Sequence, residues 1–295
     1  MDIYARRMSH TKVTLTGTGV PHAAPGRAGA GVLVQYKDIA LQFDAGRATV
    51  LRMIEAGVSP TQLSALFITH YHSDHVVDVP DVVLTRWIQE NLHKAGPLPI
   101  VTPHGSALRF VERMMDAYDD DIEVRQSHTS NTDFRLSITS FAPQFTPIRV
   151  WSSPAGEVVV DAVAVHHEPV LDAVAYRVTT PDGSVVISGD TRVCDEVFAL
   201  AAHSDVLVHE ACRTQALTEN IKGTPFEKIF DYHSDSVLLG EFAERYGISH
   251  LVLTHLIPSP RTPQDVAKFE SDVRKGGYTG KVTVGQDLTS IVLGA

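Results

Sequence analysis

Apolar positions along the chain fall into short alternating runs, and between those runs they switch to helical spacing. KVTLTGTGV (12–20) reads as a strand and turn, and PHAAPGRAGAG (21–31) as a loop. VLVQY and IALQFDAG read as two strands joined at Lys37 and Asp38. ATVLRMIEAG predicts a helix ending at Gly57, and LSALFIT a buried strand. VPDVVLTRWIQENLHKAG (79–96) has helical spacing and stops at Gly96-Pro97. PIVTPHG predicts a strand and turn, and SALRFVERMMDAY a helix. From 122 to 187 β-type segments dominate: IEVR, FRLSITSF, TPIRVW, EVVVDAVAV, AVAYRVTT and SVVISGD. DVLVHEA is a strand, SDSVLLGEFAERYG an amphipathic helix capped at Ser234, and HLVLTH a strand. TPQDVAKFESDVRKGG is a helix opened by Thr-Pro, and KVTVG and TSIVLG are closing strands.

Strands and helices interleave in both halves, around a β-rich middle, with no low-complexity linker and no clear short repeat. That order predicts one compact domain over 11–295, two sheets with outer helices, behind a disordered or loosely attached N-terminus at 1–10.

Composition narrows the class. The chain has 295 residues, 43% of them hydrophobic, enough for a sizeable core. No apolar run is long enough to span a membrane, and MDIYARRMSH lacks the apolar stretch of a signal peptide. Two cysteines, Cys194 and Cys212, make no disulfide framework. A cytoplasmic protein with no membrane partner is expected. The net charge of −10 weighs against a chain-wide grip on nucleic acid. The 21–31 loop lacks the Gly-Lys-Ser/Thr ending of a phosphate-binding loop.

The chemistry concentrates in LFITHYHSDH (66–75). His70 and His72 sit two apart where a strand leaves its sheet, so they point the same way and can share one metal. Asp74 and His75 follow where the chain turns and can face a second. Imidazole and carboxylate suit zinc, with manganese or iron as alternatives.

H-x-H-x-D-H after an apolar strand resembles the metallo-β-lactamase superfamily, whose fold is a four-layer αββα sandwich (α/β class) with metals at one edge of the sheets. The resemblance implies three further ligands. In VAVHHEPV the family pattern selects His167, although strand alternation leaves His166 open as a rival. VVISGDT supplies Asp190 as a bridging carboxylate, and HLVLTHLIP supplies His255. The implied cofactors are two Zn2+ per chain. One is held by His70, His72 and His167, the other by Asp74, His75 and His255, with Asp190 between them. Two such ions, about 3.5 Å apart, would share a hydroxide sharpened toward attack at neutral pH.

LVHEA (207–211) and YHSDSVLLG (232–240) resemble the ribonuclease Z and arylsulfatase-like branch. That likeness implies catalytic roles for Glu210 and His233, with His233 protonating the leaving oxygen and Glu210 orienting it. Asp74 is read in the same branch as touching the attacking water as well as the metal. The branch also implies a homodimer.

For the substrate, the chain shows no Gly/Pro- and Lys-rich arm, and VTPHG (101–105) departs from the branch's usual turn. With the acidic balance, these features favour a small-molecule substrate: a sulfate ester, a phosphodiester, or a carboxylic ester or lactone. Nucleic acid is then an unlikely partner, and a ribonuclease Z-type tRNA 3′-processing endonuclease is the alternative. The 20–30 loop with His22 and Arg27, and the helix with Arg86 and Trp87, are expected beside the metals. Arg86 is read as a solvated helix residue and Trp87 as core.

Overall fold

The computed structural model describes residues 10–129 and 133–294, so the expectation for the N-terminus falls, except for His10, outside the described residues. Among these residues fourteen strands form two sheets of seven. In the first, β1 (Lys12–Gly17), β2 (Gly31–Tyr36) and β3 (Ile39–Phe43) run antiparallel. Then β4 (Ala65–Phe67), β5 (Pro99–Pro103) and β6 (Ser137–Phe141) add parallel to β3. The second sheet repeats that plan. Strands β7 (Ile148–Ser152), β8 (Val159–Ala164), β9 (Val174–Thr180) and β10 (Gly183–Ile187) are antiparallel. Strands β11 (Val206–Cys212), β12 (His250–Ile257) and β13 (Lys281–Val284) then add parallel. The last strand, β14 (Ser290–Val292), returns to pair with β1 in the first sheet.

Three apolar layers separate four structural ones. Between the sheets lie Leu15, Phe43, Phe67, Val160, Tyr176 and Val208. Phe43 and Phe67 stack at 4.7 Å, and Tyr176 from the other sheet sits 5.5 Å from each. Its hydroxyl crosses to the Ile68 carbonyl at 2.7 Å, tying the sheets together beside the histidine cluster. Outside the first sheet, Met53, Ile68, Val82 and Trp87 pack under helices. Outside the second, Phe198, Leu239, Phe269 and Val273 do the same. Strands covered on both faces need near-continuous apolar runs, and β11 is buried at every position. The architecture is the expected αββα sandwich in one domain. No helix of the described residues is long and apolar enough to cross a membrane.

Three local expectations fail. IEVR is not a strand but part of the helix Asp119–Thr129. Its alternation is unused, because Ile122 is buried in the outer layer while Val124 is 57% exposed. Asp119, Asp120 and Asp121 occupy the first turn, where the helix dipole favours acids. Arg86 is not solvated: its guanidinium donates to the Pro60, Leu63, Ala95 and Gly96 carbonyls at 2.6–2.9 Å, away from the cluster, and pins the loops on either side. Trp87 is core as expected. The cap of the helix Ser236–Arg245 is Asp235 rather than Ser234. Its carboxylate accepts from Val237 N–H and Leu238 N–H, while the Ser234 hydroxyl donates to the Thr191 carbonyl.

Candidate metal centre

Parallel strands leave their C-terminal ends on one edge of each sheet, where open α/β sheets place their sites. His70 follows β4, Asp190 follows β10, and Glu210 and His255 lie near the ends of β11 and β12. Two backbone features aim them. The β11–β12 ladder slips between Glu210 and Ala211, leaving His255 as the extra residue at φ 44°. A bulge of this kind re-aims one side chain, and here it turns His255 inward. Gly189, at φ 59°, lets the chain pass Thr69: a Cβ there would stand 2.8 Å from the Thr69 Cβ.

The side chains named from the sequence converge. His72 Nδ1 lies 3.1 Å from both His70 Nε2 and His167 Nε2. Asp190 Oδ2 is 3.8 Å from His70 Nε2 and 3.9 Å from His167 Nε2. On the other side His255 Nε2 is 3.1 Å from Asp74 Oδ2 and 3.4 Å from Asp190 Oδ2. His75 Nε2 is 3.3 Å from Asp190 Oδ1. All but His72 are buried. Donor atoms within 4.8 Å of one another form three overlapping groups, His70–His72–His167–Asp190, Asp74–His75–His255 and, with His233 at the edge, Asp190–His233–His255. His167, not His166, is the histidine in this cluster. His166 turns away to Glu168 and Glu196, at 3.3 Å each, and stacks on Phe145.

The hydrogen bonds behind these rings fix which nitrogen is bare. Thr69 Oγ1 donates to Asp44 Oδ2 at 2.7 Å and so accepts from His70 Nδ1–H at 3.0 Å. His75 Nδ1–H donates to Asp44 Oδ2 at 2.8 Å, and His167 Nδ1–H to the Tyr232 carbonyl at 3.0 Å. With Nδ1 committed in this way, each ring turns its Nε2 toward the centre, where the neutral form presents a lone pair. Burial, reinforced by the neighbouring His75, pushes the His70 imidazole well below its ordinary pKa, which favours the neutral form. Burial works against the charge on Asp190, yet His255 and His75 outweigh it and hold this carboxyl well below the usual range.

This donor set fits metal cations. His75 Nε2 and Asp190 Oδ1, 3.3 Å apart at the centre, are both buried without a hydrogen-bond partner. Asp44, Asp74, Asp190 and Glu210 are all nearly or fully inaccessible to solvent, a concentration of carboxylate costly without compensating positive charge. Tetrahedral nitrogen ligands about 2.05 Å from zinc stand about 3.3 Å apart, close to the spacings here.

Glu210 and His233 form a second unit. Glu210 is fully buried, which excludes a surface ion pair, and its Oε1 accepts from His233 Nδ1–H at 2.9 Å and from Thr191 N–H at 2.9 Å. Burial opposes charge on His233, but Glu210 raises its pKa to about 9. Its ring stacks on His255 at 5.5 Å and lies 5.3 Å from His167, beside the convergent donors.

Other expected neighbours are elsewhere or otherwise engaged. His22 is exposed, and Arg27 donates to Thr18 Oγ1 at 2.7 Å and to the Gly285 carbonyl, anchoring its loop. Asp44 and Thr69, which orient His70 and His75, were missed from the sequence. The available signal was FDAG, an acidic residue directly after a buried strand. Asp44 adopts φ 54°, a backbone state that Asp tolerates better than most residues.

Comparison with known proteins agrees with this architecture. Residues 40–256 match the family described as "Beta-lactamase superfamily domain". A protein named Ribonuclease Z from Mycobacterium bovis is 33% identical over 277 residues, covering 94% of this chain and 96% of that one. Among solved structures, the metallo-β-lactamase fold protein YhfI from Bacillus subtilis superposes with a TM-score of 0.69 at 22% identity, over 96% of this chain and all of that one. The short form of human tRNase Z gives a TM-score of 0.69 at 21% identity, over 96% of this chain and 99% of that one.

The relatives named as ribonucleases overturn the expectation of a small-molecule ester partner with nucleic acid unlikely. Net charge was a poor guide because it sums the whole surface and says nothing of one patch. Nor did the lack of a recognisable arm decide the matter, since the M. bovis protein named Ribonuclease Z aligns over 94% of this chain and 96% of its own length. With the fold, the convergent donors and the family match together, the chain belongs to the metallo-β-lactamase superfamily and is a metal-dependent hydrolase acting on ester bonds.

Proposed function

We propose that this chain is an RNA phosphodiesterase of the ribonuclease Z type, an endonuclease that trims the 3′ ends of precursor tRNA. The observation that carries the reading is its likeness, over nearly its whole length, to proteins named Ribonuclease Z. The buried Glu210–His233 pair beside the cluster supports it as a proton-delivery device for an ester.

In this reading His70, His72 and His167 hold one divalent metal, Asp74, His75 and His255 hold a second, and Asp190 joins the two groups. Zinc is the proposed ion at both positions. When bound there, the metals would supply Lewis-acid polarisation of the phosphoryl oxygens and electrostatic relief of the developing charge. The chain's own residues do the rest. Asp44 and Tyr232 fix the tautomers of His75 and His167. Asp74, besides binding metal, is placed to orient the attacking water. Glu210 keeps the proton on His233 Nδ1, so that the Nε2–H of the charged ring can donate to the departing oxygen.

A panel of substrates tests the assignment. Zinc-reconstituted protein should cut precursor tRNA at one position next to the acceptor stem, in preference to aryl sulfate, aryl ester, lactone and β-lactam. Turnover of an aryl sulfate or lactone with intact precursor tRNA would overturn it.

A further inference from the structure

Tyr71 lies between two candidate ligands, in the loop that follows β4. Its ring is 40% exposed and lies 5.6 Å from the ring of His72, on the rim of the metal centre. Two open clefts of about 630 and 380 Å³ meet at Tyr71 and Ser106. One wall is the helix Ser106–Arg113, which presents Arg109, Phe110 and Arg113. The other is the turn after His167, carrying Pro169 and the 79% exposed Leu171. Both Tyr71 and that turn adjoin candidate ligands, so the combined groove lies beside the metal centre.

The charges in this groove are arranged for an anion. Arg109 and Arg113 are spaced four apart, one above the other on the helix face, about 6 Å from each other, a spacing that suits successive phosphates of one strand. Arg109 bonds the Ser106 hydroxyl at 2.8 Å. Arg113 is 80% exposed, and its nearest acid, Asp116, is 3.9 Å away. The groove's other carboxylate, Asp172, is committed to the Ser106 and Ala107 amides at 2.6 and 3.1 Å. In a chain of net charge −10, the Arg109 and Arg113 guanidiniums, one bonded to Ser106 and the other paired at 3.9 Å with Asp116, stand beside an exposed tyrosine and a half-buried phenylalanine. Arginine on phosphate with aromatic rings under bases is the chemistry by which proteins hold single strands.

The ring contacts also give this groove a direction. Tyr71 touches His72, His72 touches His167, and His167 touches His233. Tyr71 and His233 thus touch different rings of the first donor group, His72 and His167. If His233 protonates the departing oxygen, the strand that leaves lies on its side, and the strand that keeps the phosphoryl group lies on the side of Tyr71.

Resting on the RNA-cleaving assignment above, the geometry points to this groove as the binding track for the single strand that retains the scissile phosphate, with Arg109 and Arg113 on its backbone and Tyr71 and Phe110 under its bases.

The test uses full-length zinc-loaded protein and precursor RNAs shortened nucleotide by nucleotide on each side of the mapped cleavage site. With wild type, KM should rise as the phosphate-retaining strand is shortened. R109E/R113E should raise KM about tenfold on the full-length RNA and abolish that length dependence, while R109K/R113K restores both. The salt slope of binding to a labelled, terminally phosphorylated RNA pentamer should fall by about 1.4 in the charge-reversed variant, about 0.7 for each lost phosphate contact on a single strand. Thermal melts establish that the variants are folded. Unchanged KM and salt slope in a folded R109E/R113E that cuts RNA would overturn the groove and leave the ribonuclease reading standing. No RNA cleavage by wild type would remove both.

Discussion

Glu210, fully buried at the end of β11, accepts a hydrogen bond from His233 Nδ1–H at 2.9 Å, and the same oxygen accepts from Thr191 N–H. A buried carboxylate held in this way fixes the imidazole's orientation and tautomer as well as its charge. Its partner ring is stacked on His255, so the oriented nitrogen faces the convergent donors rather than solvent.

His233→Ala should therefore slow turnover by roughly 100-fold or more, the range for losing a general acid, while metal content stays near wild type. Glu210→Gln should give a smaller loss, because the ring remains hydrogen-bonded but is less readily protonated. Single-turnover kinetics across leaving groups of different basicity check this: the deficit should shrink as the leaving group becomes more acidic. A deficit that ignores leaving-group basicity would take His233 out of the protonation step.

Asp44 touches no candidate metal position directly, yet it accepts from Thr69 and from His75 Nδ1–H. Asp44→Ala should weaken metal affinity by about 10- to 100-fold, the usual effect of removing a group that orients a ligand. Competition against a chelator measures it. Unaltered affinity would mean that His75 needs no such support.

Arg86 is a structural prediction. Its guanidinium serves four carbonyls from two loops, and Arg86→Ala leaves acceptors buried without donors. A loss of about 2–4 kcal/mol in unfolding free energy is expected. Denaturant melts report it directly, and a loss below about 0.5 kcal/mol, typical of surface positions, would contradict the role.

The parts of this molecule legible in its sequence are those written locally. H-x-H-x-D-H occupies six consecutive positions, and its placement after a buried strand follows from alternation alone. Asp190 and His255 were named through the family resemblance, which expects a ligand where an apolar run closes, and the bulge that turns His255 inward leaves no mark in the residue pattern. Arg86 was misread because its partners are backbone carbonyls, which no side-chain pattern reveals. IEVR was misread because four residues cannot distinguish alternation from one turn of helix. The basic groove was invisible for a third reason: Tyr71, Arg109 and Leu171 come from three distant segments, and the overall acidity of the chain concealed their local charge.

The account stands most directly on Asp190, whose carboxylate lies within 3.9 Å of His70, His75, His167 and His255. The decisive measurement is cleavage of precursor tRNA by zinc-reconstituted wild type and Asp190→Ala, with bound metal quantified in the same samples. Wild type should hold about two metals per chain and cut the RNA at a single site. Asp190→Ala should lose metal and cut none. Equal metal content and equal cleavage in the two proteins would contradict the proposed centre.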